Sequence, residues 1–116
     1  YSTTVEQMDG AYVKPQSMGN REGLRELKLT DASGKGICIR TEGNVSFSAL
    51  RYTDEDLMNT NHTWELKPRP YTVLHLDAAV RGVGNASCGR DVDTLPKYQI
   101  PQKPLSYKLV FSSCGF

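Results

Sequence analysis

The stretch that decides the fold is YTVLHLDAAVRGVGNASCGRDVDTLPKY, residues 71–98. It opens on an apolar run from Tyr71 to Val80, whose first eight residues, Tyr71–Ala78, read as a strand. It then breaks into a loop holding Gly82, Gly84 and Gly89. Glycine adopts backbone conformations that a Cβ penalises, and loops lie at surfaces where function concentrates. A strand feeding a shaped loop points to a β-rich unit that presents the loop.

Working outward, the same signals recur. Leu24–Thr30, Gly36–Thr41, Val45–Leu50, Thr63–Lys67, Lys97–Ile100 and Ser106–Ser112 read as further strands. Residues 31–34, residues 42–44, the Pro68/Pro70 pair and the Pro101/Pro104 pair supply the breaks. One helix is expected over Asp54–Asn59, with Thr53 as cap and three acidic residues at the positive helix end. Residues 1–23, punctuated by Gly10, Pro15, Gly19 and Gly23, read as irregular. Seven short strands and one helical turn argue for an all-β fold, an antiparallel β-sandwich with one short helix. Leu27, Leu29, Ile37, Ile39, Phe47, Leu50, Val73, Leu74, Leu76, Leu109 and Phe111 are the expected core.

At 116 residues the chain is one domain or part of one. It opens at Tyr1 without a signal-peptide pattern and reads as a piece of a longer protein. Fourteen basic and thirteen acidic residues leave a net charge of +1, with no basic block, so no nucleic-acid partner is expected. No apolar run reaches the 18 or so residues of a membrane-spanning helix, and no membrane partner is expected. Cys38, Cys88 and Cys114 form no closed disulfide framework, and Cys38 is expected to be a buried thiol.

Catalytic chemistry finds little support. Sugar-bond hydrolysis needs two carboxyl groups flanking the bond. Asp54, Glu55 and Asp56 are the acidic start of a helix, and Asp91 and Asp93 are a lone pair in the loop. No Cys-x-x-Cys or His-x-x-x-His spacing supports a metal, so no metal site is expected. His75, in an apolar run, reads as a hydrogen-bonded core residue. The loop lacks a nucleophile elbow, and no helix follows its glycines to cradle a phosphate. Trp64, the lone tryptophan, either packs on a sheet or faces outward. The sequons at Asn44, Asn61 and Asn85 matter only in a eukaryotic secretory setting.

VLHLDAAVRGVGNASCG (residues 73–89) resembles the end of the large β-galactosidases of glycoside hydrolase family 2, in their C-terminal β-sandwich domain. Other segments agree in order: Tyr12–Pro15, Gly19–Arg21 and Leu24–Leu27 with its entry, Phe47–Leu57 and His62 with its middle, Tyr107–Phe111 with its last strand. Ser17-Met18-Gly19 stands where the family has an acidic–Asn–Gly sequence. The resemblance implies that residues 1–116 are the C-terminal part of a supersandwich domain of the galactose-mutarotase-like kind. It implies a non-catalytic structural module of a bacterial enzyme, cytoplasmic or periplasmic, that hydrolyses terminal β-D-galactosides with retention. The catalytic acids, and any Mg or Na cofactor, would lie elsewhere, leaving no cofactor and no activity in this chain. Its partners would be the remaining domains and, in the intact enzyme, the galactoside. By position, Ser87, Cys88 and Gly89 would line the active-site rim. The alternatives are a free-standing carbohydrate-binding or adhesion module, or the small subunit of a two-chain β-galactosidase.

Overall fold

The computed structural model describes residues 2–10, 18–81 and 93–115. In chain order these form α1 (Val5–Met8), β1 (Glu26–Thr30), β2 (Gly36–Glu42), β3 (Ser46–Leu50), α2 (Asp54–Asn59), β4 (Val73–Asp77) and β5 (Lys108–Cys114). Single 3-10 turns lie at Thr63–Glu65 and Pro96–Tyr98. The protein is mostly β. All pairings are antiparallel, in one sheet of order β1-β2-β5 and a second of β3-β4.

The β1–β2 hairpin is set by its turn. The Asp31 carboxylate accepts from the Ser33 amide (2.8 Å), the Ser33 hydroxyl (2.7 Å) and the Lys35 amide (3.1 Å). These bonds, the Ser33 hydroxyl foremost, hold the carboxyl below its usual range. Gly34, at φ +81°, closes the turn in the left-handed region. Two residues on, Gly36 has no room for a side chain: a Cβ there would stand 1.9 Å from the Leu29 carbonyl oxygen.

The register gives the three-stranded sheet two unlike faces. Leu27, Leu29, Ile37, Ile39, Leu109 and Phe111 share one. Glu26, Lys28, Arg40, Glu42 and Lys108 lie on the other, where Arg40 and Lys28 pair with Glu26, and Lys108 with Glu42. That second face is mainly charged, although buried Cys38 and exposed Val110 also lie on it. Residues 21–25 stitch the two sheets together. Arg21 exchanges two 2.8 Å backbone bonds with Phe47, while the Leu24 carbonyl accepts from the Thr41 hydroxyl and the Arg25 carbonyl from the Thr41 amide.

The core gathers where this stitch meets the sheets. Ile39 and Val45 are fully buried, with Leu24, Cys38, Ala49 and Leu50 close behind. Met8 and Met18 are also buried, and Gly19 lets Leu50 and the Met8 carbonyl come close. Buried Cys38 and Leu50 match expectation. Leu27, Leu29, Phe47, Val73, Leu74, Leu76 and Leu109 are only half-buried. Ile37 and Phe111, both expected in the core, are 42% and 59% exposed. No described element covers their end of the apolar face. The Cα radius of gyration, 16.3 Å, exceeds the about 13 Å of a compact chain of this length.

Three local expectations are corrected. Thr63–Lys67 is not a strand. The Glu65 carboxylate reaches back to the Asn61 (3.1 Å) and His62 (3.0 Å) amides and winds the chain into a 3-10 turn. Nor is Lys97–Ile100 a strand. Pro96 sets a helical φ, and Tyr98 donates to the Leu95 carbonyl at 2.8 Å. The helix at Asp54–Asn59 is present with its Thr53 cap, but it is not alone. Thr4 and Gln7 form a reciprocal capping box that starts α1 within the segment expected to be irregular.

Candidate functional site

Ser87, Cys88 and Gly89, the expected rim residues, lie outside the described residues, as does Asp91. What is described is the pair of residues that bracket residues 82–92. Arg81 follows β4, and its guanidinium donates to the Asp93 carboxylate across the base of that segment. Asp93 also accepts from the Thr94 amide (2.7 Å). That amide first, and Arg81 second, hold its carboxyl below the usual range. Gln99 donates to the Thr94 carbonyl at 2.7 Å.

Of the three acids of α2, Asp56 is similarly paired. Arg69 grips Asp56 with two bonds, 2.7 Å from Nη2 and 2.9 Å from Nε, while the Arg69 amide donates to the Arg51 carbonyl at 2.7 Å. Asp56 also accepts from the Thr53 amide. Its carboxyl is held far below the usual range, chiefly by Arg69. A general acid needs its pKa raised toward neutrality. Asp56 and Asp93 are both moved the other way, which suits structural ion pairs.

His75 is not the core residue its apolar surroundings suggested. Strand alternation puts Leu74 and Leu76 on one face of β4 and His75 and Asp77 on the other. The His75 side chain is 39% exposed, with Nε2 3.6 Å from Asp54 Oδ1. Its strand partner is Ser48, and Ser46 faces Asp77. The face they form opens into a cleft of about 180 Å³ beside α2, closed at its edges by Asn20, Tyr52 and Leu57. This polar cleft escaped the sequence reading because its groups come from separate segments. The alternation within VLHLD was the available signal.

Trp64 faces outward, 78% exposed, with its ring stacked on His62 at 4.3 Å between centroids. Cys38 and Cys114 are free thiols. Among the described residues, no group of His, Cys, Asp and Glu is arranged to hold a metal ion, and no helix is long and apolar enough to cross a membrane.

Residues 1–111 match the family model described as "Beta galactosidase small chain". The chain belongs to that family. It is 30% identical over 111 residues to a β-galactosidase of Actinobacillus pleuropneumoniae, covering 96% of this chain and 10% of that protein. It is 34% identical over 113 residues to β-galactosidase BgaC of Bifidobacterium adolescentis, covering 91% and 10%. A Halalkalibacterium halodurans β-galactosidase is 35% identical over 85 residues, 72% of this chain and 8% of its own length. This small-chain region thus spans about a tenth of the length of the relatives it matches.

Proposed function

We propose that the chain is the non-catalytic C-terminal module of a retaining β-galactosidase acting on terminal β-D-galactosides. The observation that carries this is the family match over residues 1–111, with β-galactosidases about ten times longer as the relatives. In this reading residues 1–116 are one part of a larger antiparallel supersandwich. The apolar face around Ile37 and Phe111 is its docking surface for the remaining domains. The catalytic carboxyl pair, and any Mg or Na ion the enzyme uses, sit in those domains, so the isolated chain is inactive. Pairing of Asp56 with Arg69 and of Asp93 with Arg81 supports the silent role, since neither acid is poised to donate a proton.

Residues Ser87, Cys88 and Gly89 line the leaving-group side of the active-site rim, while recognition of galactose belongs to the catalytic domain. The test is Cys88→Trp and Cys88→Ala in the complete enzyme, assayed with galactosides of different leaving groups and with free galactose as inhibitor. Leaving-group discrimination changes and galactose inhibition does not. Two variants that match the parent on every substrate would reduce the loop to a connection.

A second reading is favoured by the description of the matching model itself, a small chain. There the module is a separate subunit beside a catalytic chain. The length of the reading frame separates the two.

A further inference from the structure

The cleft beside α2 has no part in the role just proposed, and its chemistry is unusual for a surface hollow. Asn20, Ser48, Asp54, His75 and Asp77 converge on it from four segments of the chain. Among the described residues, the side chains of Asn20, Ser48 and Asp77 have no hydrogen-bond partner. His75 and Asp54 stand 3.6 Å apart, too far for a good hydrogen bond. All but Asp54 are half-buried, and their unpartnered polar atoms stay open to the cleft, where a ligand can reach them. Leu50 and Leu57 add an apolar wall.

Each class of ligand can be weighed against that composition. An anion would meet two carboxylates, Asp54 and Asp77, and be repelled. A purely apolar ligand would strip water from five polar groups and return no hydrogen bond. A tightly held metal ion finds no convergent ligand set here. A neutral polyhydroxyl ring suits what is present. Its hydroxyls donate to Asp54 and Asp77 and exchange bonds with Ser48, Asn20 and His75, while its C–H face lies on the leucines. The space, about 180 Å³, takes about six waters at their liquid volume, on the scale of one sugar ring.

We propose that this cleft is a carbohydrate-binding subsite for a single neutral pyranose, separate from the rim residues Ser87–Gly89. It does not depend on the proposed rim role, so either can fail alone. The test is a titration of the 15N-labelled 116-residue chain with methyl β-D-galactopyranoside, D-glucose and D-galacturonate. At least one neutral sugar produces saturable amide shifts at Ser48, Asp54, His75 and Asp77, with a Kd on the order of millimolar. Galacturonate binds at least tenfold more weakly. Ser48→Ala, which removes one exposed-side hydroxyl and leaves the strand intact, weakens binding severalfold, and Asp77→Asn weakens it further. The proposal is overturned if no neutral sugar saturates the cleft amides well above millimolar concentration, if galacturonate binds as well as galactoside, or if both variants bind as the parent does.

Discussion

Ile39 on β2 and Phe111 on β5 are direct register partners, yet Ile39 is fully buried and Phe111 is 59% exposed. The two side chains project from the same face of one sheet. Cover therefore ends between neighbouring strands. On the β2 side, Leu24 and Val45 are buried and the backbone of residues 24–25 bonds to Thr41, whereas Phe111 on β5 stays open. A seven-residue edge strand with an open apolar face is the arrangement that another layer of polypeptide covers.

That gradient separates two mutations that the sequence alone would rank together. Ile39→Ala empties a closed site and costs about 2–5 kcal/mol in the isolated chain. Phe111→Ala loses contacts that are already half absent and costs well under half as much. Chemical denaturation of both variants measures the difference, and equal losses would mean that β5 is covered in solution.

Gly36 and Gly34 make a second contrast. Gly36→Ala drives a Cβ to 1.9 Å from the Leu29 carbonyl oxygen and forces β1 off β2. Gly34→Ala meets nothing within 4 Å and bears only the left-handed strain of φ +81°, about 1–2 kcal/mol. The expected outcome is a folded Gly34→Ala chain and a Gly36→Ala chain with its β1–β2 amide protection lost, read by hydrogen exchange.

The Asp56–Arg69 pair predicts an acid-sensitive joint between α2 and the segment after the 3-10 turn. The folded pKa of Asp56 lies below its unfolded value, so the pair's stabilisation is complete above the ordinary aspartate range. It is lost progressively as pH falls below about 4. Asp31, Asp93 and Glu26 shift in the same direction and add to the trend. Thermal melts from pH 7 to pH 3 should show falling stability, with a shallower fall in Asp56→Asn. A slope unchanged in that variant would place the acid sensitivity elsewhere.

Arg81 and Asp93, which flank residues 82–92 in the chain, are paired. Both side chains are more than half exposed, so the pair contributes little to stability. Arg81→Ala should leave the melting temperature of the complete enzyme nearly unchanged while altering its preference among leaving groups. A changed melting temperature with unchanged preference would make the clamp structural only.

Much of the fold was legible because it rests on local rules. Asp31 with Gly34, Thr53 with three acids, and alternation in β2 and β3 each signal their element without tertiary help. The failures share a cause. At Glu65 and Pro96 a side chain or ring decides the local backbone against a strand-like composition. Thr4 and Gln7 hold a capping box too short to show apolar periodicity. Ile37 and Phe111 carry the right pattern for a core, but the pattern says only which face is apolar and not what covers it. The cleft depends on cross-strand placement of Ser48 against His75, which no single segment encodes.

The most direct measurement replaces the matching tenth of the Actinobacillus pleuropneumoniae β-galactosidase with this chain and follows hydrolysis of an o-nitrophenyl β-galactoside. Three further samples are assayed beside it: the relative truncated before that region, this chain alone, and the chimera carrying Phe111→Asp. A non-catalytic module that docks through its open apolar face predicts turnover by the chimera and none by the other three. Turnover by the isolated chain that disappears on changing Asp91 or Asp93, or a folded chimera no more active than the truncated relative, would contradict it.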